Sequence, residues 1–236
     1  MPIQAVENRR LYRQIADQIA TLVESGEYKP SERLPAERVL ATQLGVSRPS
    51  VREALIALEV EGYVEVRVGS GVYVTNTGAG FGRNAALPAD SGPFELIRAR
   101  WLIEGECAAQ AAREGSRAQL RSIEDALADM VHEHGTKESV MPLAADRLFH
   151  LRIAEASGNS AFVLLVKTLW DQRTGPLFMQ LENHFTTDAT WVTAIKEHRE
   201  IVNAIVKRDP KAARAAMRRH MDNAAKRFSK SWSGSK

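Results

Sequence analysis

The side chains best suited to binding chemistry in this 236-residue chain are one aspartate and three histidines, all on apolar helical stripes. Asp146 and His150 are one helical turn apart and share the stripe of Leu143 and Ile153. His198 falls on the stripe of Ile195, Ile201 and Ile205, and His220 lies among Ala213, Ala216, Met217 and Ala224. Such stripes face a core, and a polar group in a core needs a partner. Taken singly, each histidine reads as a core residue with a local hydrogen bond. Taken together, one divalent cation satisfies all four groups, and helix bundles build metal sites from facing helices in this way. One carboxylate with three imidazoles suits Zn²⁺ first, with Ni²⁺ and Mn²⁺ as alternatives. On an ion of higher coordination number, positions stay open for the carboxylate or hydroxyl of a ligand. His132 and His134 sit in a polar stretch and read as surface residues, while His184, near a helix end, is undecided.

Arginines supply the second kind of chemistry. Arg100 shares a stripe with Leu96, Ile103 and Cys107, so it points inward, where a guanidinium wants a carboxylate. Glu104, one turn on, is the local candidate; an acidic ligand shared with the cation is the functional one. Arg173, on the stripe of Val166 and Leu169, is a second candidate contact for such an effector. Asn159, after Ser157-Gly158, is a third, with helix capping as its alternative. Near the N-terminus, Arg48 and Arg52 are one turn apart at the start of a helix, and both can reach one groove of DNA. There an arginine can grip guanine through two hydrogen bonds, and free backbone N–H groups favour phosphate. Arg38 lies beside them on the preceding helix. The bland reading pairs these arginines with Glu37, Glu53 or Glu59 on a solvated surface.

The elements that must position these groups fall into three segments. Residues 1–75 read as a winged helix-turn-helix. Leu11, Ile15, Ile19 and Leu22 mark a first helix that stops at Gly26, and a second runs from about Pro35 to Leu44, with Gly45 as its stop. Ser47 is the expected N-cap of a third helix, which continues to Glu61 and turns Val51, Leu55 and Leu58 inward. That stripe leaves Pro49, Arg52 and Glu53 outside it. Tyr63–Val68 and Val72–Thr75 read as strands joined by Gly69-Ser70-Gly71, whose glycines let the wing approach phosphates. Residues 76–92 have the Gly- and Ala-rich composition of a linker. Residues 93–230 show helical periodicity almost throughout, as a bundle near 93–113, 116–134, 137–157, 159–183, 190–208 and 210–230. Gly175-Pro176 breaks or kinks the fourth helix, so six or seven are expected. The fold class is mainly α.

Composition narrows the function classes. With 44% hydrophobic and 26% charged residues the chain is globular. The single cysteine, Cys107, excludes an internal disulfide framework and a Cys-cluster zinc site. Apolar runs such as 161–166 fall far short of the roughly 20 residues of a membrane span. Residues 1–7 carry no signal-peptide pattern, so a cytoplasmic protein is expected. The net charge of +3 is no argument for DNA binding. Residues 1–75 hold 9 Lys+Arg against 10 Asp+Glu, whereas residues 209–236 hold 8 against 2. The excess is a C-terminal feature.

Leu34-Pro35-Ala36-Glu37-Arg38, Leu44-Gly45-Val46-Ser47-Arg48-Pro49-Ser50-Val51-Arg52-Glu53-Ala54-Leu55 and Gly69-Ser70-Gly71-Val72-Tyr73-Val74 closely resemble the GntR family of bacterial repressors. The resemblance implies DNA contacts by Arg38, Ser47, Arg48, Ser50, Arg52 and Gly69, made by a homodimer on a short palindromic operator. The second segment resembles the FCD sensor domain of the FadR subfamily. Ile97-Arg98-Ala99-Arg100…Glu104, Asp146-Arg147-Leu148-Phe149-His150, Ala156-Ser157-Gly158-Asn159, Glu197-His198 and His220-Met221 carry that likeness. It implies a cation on Asp146, His150, His198 and His220 and an organic acid near Arg100. The stretches around Glu95–Glu106 and Leu169–Arg173 look most like regulators of hexuronate use, which points to a sugar acid. Two rival readings remain: a metal-dependent hydrolase or isomerase fused to a DNA-binding domain, and a constitutive DNA-binding protein with a structural metal. Four protein ligands without an extra general base argue against the enzyme.

Overall fold

The computed structural model describes residues 10–75, 91–135 and 143–229. Ten α-helices and one two-stranded sheet occur among them. The linker expected at 76–92 lies outside the described residues except for Ser91 and Gly92, and so does the tail from residue 230.

In the N-terminal part, α1 (Leu11–Glu24) packs against α3 (Arg48–Val60). The stripe that α1 buries is Tyr12, Ile15, Ile19 and Val23, with Ala16 and Ala20 filling between them, whereas Leu11 and Leu22 are exposed. Both stripes share Ile15 and Ile19. The observed one is rotated toward the small alanines, which allow close approach to α3. Helix α2 (Glu37–Leu44) ends at Gly45, whose φ of 66° closes the helix and sends the chain straight into the next. Ser47 then caps α3, its Oγ accepting from the Ser50 N–H at 3.3 Å.

Helix α3 departs from the one-stripe expectation. Every residue from Val51 to Leu58 is buried, Arg52 and Glu53 included, because α1, α2 and the wing surround it. The wing is β1 (Val64–Arg67) and β2 (Gly71–Val74), antiparallel with Val64 opposite Val74 and Arg67 opposite Gly71. Residues 31–34 extend it along β2, with the Leu34 N–H donating to the Val72 carbonyl at 2.9 Å. A side chain at Gly71 would meet the Arg33 guanidinium at 2.6 Å.

The helical part comprises α4 (Pro93–Glu114), α5 (Arg117–Gly135), α6 (Leu143–Ala156), α7 (Ser160–Asp171), a 3-10 turn (Gln172–Thr174), α8 (Pro176–Phe185), α9 (Asp188–Val206) and α10 (Pro210–Phe228). The seven-helix alternative is the observed one: the break falls at Gly175-Pro176. Helix α6 starts at Leu143, and residues 136–142 lie outside the described ones. Helices α4 and α10 pack against each other, and both bury alanines, Ala108, Ala109 and Ala112 on α4 and Ala213 and Ala216 on α10. The chain divides into two compact units, and Pro176–His184 groups with the N-terminal one. Among the described residues, no helix is long and apolar enough to cross a membrane.

Candidate functional site

Helix periodicity brings the four predicted side chains to one place. Asp146 and His150 project from one face of α6, His198 from α9 and His220 from α10, and all four are buried. One ring nitrogen from each histidine lies within 4.8 Å of the others. Asp146 Oδ1 is 3.2 Å from His198 Nε2 and 3.5 Å from His150 Nε2, and the two Nε2 atoms are 3.3 Å apart. Ion–ligand bonds of about 2.1 Å separate neighbouring ligand atoms by roughly 3.0–3.4 Å on a four- or six-coordinate ion. Asp146, His150 and His198 already lie near that spacing, and a ring nitrogen of His220 is within 4.8 Å of those of the other two histidines. Phe149 closes its apolar side, edge-on to His198 with ring centroids 4.7 Å apart.

Carboxylates behind the rings fix which nitrogen faces the cluster. His150 Nδ1 is ion-paired with Glu104, and His220 Nδ1 lies 2.7 Å from Glu197 Oε2. Each contact leaves Nε2 for the cluster, the arrangement that orients metal-ligating histidines. Glu197 is itself held by Asn223 Nδ2 at 2.9 Å and Arg227 Nη1 at 3.1 Å. Burial opposes the charge of Glu197, but His220 and Arg227 outweigh it and bring the carboxyl down to about 2. Glu104 is likewise brought to about 2, burial being overcome by Arg100 and His150. Burial and then the neighbouring His198 push His220 down to about 3, and burial lowers His198. Both therefore stand as neutral rings at pH 7, the state a metal ligand requires. For His150, burial works against the cation, but Glu104 and Asp146 prevail and raise its pKa. Asp146, despite burial, is held well below the usual carboxylate range by His150 and His198.

The donor set fits a divalent cation. Asp146 Oδ1 is buried without a well-formed hydrogen bond among the described residues, and three imidazoles with one carboxylate form a borderline nitrogen–oxygen set.

Arg100 and Arg173 border this cluster. Arg100 adopts the local pairing, its Nε donating to Glu104 Oε1 at 2.6 Å. Arg173, on the 3-10 turn, donates from Nη1 to Asp146 Oδ2 at 3.2 Å. Asn159 takes the capping role: it is exposed, and its Oδ1 accepts from the Ala161 N–H at 3.0 Å at the start of α7. That removes the basis for placing it with Arg100 and Arg173. His134 pairs with Asp188 at 2.9 Å and His184 with Glu59 at 2.5 Å, so neither joins the cluster. The expectation missed the part of Glu197, whose only signal was its place beside His198.

In the N-terminal unit Arg38, Ser47, Arg48 and Gly69 are exposed and Ser50 is half-buried. Gly69 sits in the wing turn with φ of 83°. Arg52 corrects the expectation of an outward base-reading side chain. It is buried, and its Nε and Nη2 donate to both oxygens of Glu37 at 2.6 and 2.5 Å. Glu37 also holds Arg48 Nη2 at 3.4 Å. A bidentate pair of this kind aligns the start of α3 against α2.

Comparison with known proteins adds the decisive observation. The description "Bacterial regulatory proteins, gntR family" matches residues 11–74, and "FCD domain" matches residues 95–223. The chain belongs to the GntR family. Among relatives of this GntR-family regulator, the Uxu operon transcriptional regulator of Escherichia coli strain K12 is 37% identical over 231 residues. That alignment covers 95% of this chain and 89% of the relative. The Exu regulon transcriptional regulator of the same strain is 37% identical over 227 residues, covering 94% and 85%. Of the solved structures, E. coli McbR/YncC matches with a TM-score of 0.50 at 22% identity, covering 93% of this chain and 97% of that one, a likeness of fold. This GntR-family chain is accordingly a DNA-binding transcriptional regulator, not an enzyme, with a winged helix-turn-helix followed by a helical FCD domain.

Proposed function

We propose that the chain is a cytoplasmic, homodimeric repressor whose helical domain holds one divalent cation and responds to a small organic acid. Its parts are residues 1–75 for DNA, 76–92 as linker and 93–230 for sensing and dimerisation. Arg38 and Arg48, with Ser47, Ser50 and the wing at Gly69, meet a palindromic operator, and Arg52 supports them from its pair with Glu37. Asp146, His150, His198 and His220 would hold the cation, Zn²⁺ before Ni²⁺ or Mn²⁺, and when bound it supplies a Lewis-acid point for a carboxylate. Arg100 and Arg173 take the remaining charge of the acid. The names of the Uxu and Exu relatives favour a sugar acid of the hexuronate class.

The observation that carries this reading is the convergence of Asp146, His150 and His198 at 3.2–3.5 Å, with carboxylates behind His150 and His220. A ligand alters operator binding only if it prefers one arrangement of the protein over the other. The test is a gel-shift titration of the full chain on its own promoter, with Zn²⁺ and with D-glucuronate, D-galacturonate or D-fructuronate. At least one acid weakens the shift when metal is present and none does after chelation. Shifts indifferent to both metal and acid refute the sensing role.

A further inference from the structure

Two guanidiniums at the edge of the cluster share one aromatic ring. Trp170, on α7, is buried with its ring centroid 5.1 Å from that of His150. The Arg100 guanidinium carbon lies 4.2 Å from the centre of this indole and that of Arg173 lies 4.1 Å from it. Two like charges in one buried neighbourhood repel each other, and each has a carboxylate to offset that. Both carboxylates are shared. Glu104 serves Arg100 and the His150 imidazole together. Asp146 serves Arg173 through Oδ2 while its Oδ1 faces His150 and His198.

A cation among the histidines draws on the Asp146 charge and repels the guanidinium that Asp146 now holds. The Arg173 guanidinium is then repelled from one side, and something must keep it from swinging away. An indole face attracts a guanidinium most strongly when the pair is out of water. We propose that Trp170 is the positioning residue of the effector pocket: it holds Arg100 and Arg173 beside the cation so that both guanidiniums meet the carboxylate of the acid. This rests on the sensing role proposed above and adds the element that gives the pocket its affinity for an anion. The imidazoles and Asp146 hold the metal, and Trp170 holds the arginines.

An internal control exists. Trp101, on α4, is flanked in the same way, by Arg98 at 4.4 Å and Arg218 at 4.1 Å. If such stacks only stabilise the fold, variants at Trp101 and Trp170 should behave alike. The experiment compares full-length wild type, Trp170→Phe, Trp170→Leu and Trp101→Leu. It reads Zn²⁺ affinity by chelator competition and D-glucuronate affinity of the Zn²⁺-loaded protein by calorimetry. Trp170→Leu should keep Zn²⁺ affinity within about threefold and lose about tenfold or more in glucuronate affinity, Trp170→Phe should fall between, and Trp101→Leu should match wild type. Glucuronate binding unchanged in Trp170→Leu, or a Zn²⁺ loss as large as the glucuronate loss, overturns the proposal.

A second readout needs no acid. In the NMR spectrum of wild type, the Arg100 and Arg173 Nε–H resonances should stay ring-shifted when Zn²⁺ is added, and in Trp170→Leu the Arg173 signal should move to a solvent-like position. If Arg173 leaves the ring on Zn²⁺ addition in wild type, Trp170 does not hold it. Wild type that binds no sugar acid while its arginines stay on the ring contradicts the sensing role alone.

Discussion

Replacing Glu197 by glutamine tests whether the groups behind the histidines tune the site. The carboxylate of Glu197 accepts from His220 Nδ1 at 2.7 Å, leaving Nε2 to the cluster. The amide of Glu197→Gln keeps nearly the same shape but carries no charge, so the ring loses its preferred tautomer and some of its basicity. Losing such an outer partner costs about 10- to 100-fold in metal affinity, or roughly 1.4–2.8 kcal/mol. The metal-free fold should suffer too. Glu197 is shifted from an ordinary 4.5 to about 2, a linkage worth about 3 kcal/mol as an upper bound. Glutamine retains the Asn223 hydrogen bond, so a loss of about 1–2 kcal/mol is expected. Zn²⁺ affinity by chelator competition and urea unfolding of the metal-free protein, both at pH 7, measure the two effects separately. Metal affinity within twofold of wild type would refute the claim that Glu197 orients His220.

Three further outcomes follow from the same geometry. Glu104 and Glu197 both sit near 2 in the fold against 4.5 ordinarily, so their contribution is complete above about pH 4.5 and is lost as pH falls toward 2; urea unfolding of metal-free protein across that window should show the decline, and a flat profile would contradict it. Arg48→Ala should unfold within about 0.5 kcal/mol of wild type while losing operator affinity about tenfold, whereas Arg52→Ala removes the bidentate partner of buried Glu37, leaves it the longer Arg48 contact, and should cost about 3 kcal/mol in stability; equal stability of the two variants would show that the Glu37 pair does not hold α3. Asn159→Ala should cost about 1 kcal/mol as a lost helix cap and leave sugar-acid affinity unchanged, and a loss of ligand affinity would return Asn159 to the pocket.

Periodicity made much of this architecture readable, because helices repeat their faces and the chain marks its own breaks. Asp146, His150, His198 and His220 were found by the apolar company they keep, and Gly45, Ser47 and Gly175-Pro176 by the local geometry such residues favour. Contacts between elements were harder to read. A single stripe describes a helix with one buried side, and α3 is enclosed by α1, α2 and the wing, so Arg52 turned inward to Glu37 against expectation. Which carboxylate stands behind which imidazole depends on how helices cross. Glu104 reaches His150 from another helix, and Trp170 acquires meaning only when Arg100 on α4 and Arg173 on the 3-10 turn meet on it. Asn159 was ambiguous because a cap and a ligand contact ask for the same side chain.

The central claim is that one cation makes four polar groups tolerable inside a helical core. Crystals of the full chain equilibrated with Zn²⁺ and measured across the zinc absorption edge test it directly. The account predicts one anomalous peak per chain, ligated by Asp146, His150, His198 and His220 and absent from a His150→Ala/His198→Ala protein. A crystal with those four side chains in the same place and no peak among them, or a peak elsewhere only, would contradict it.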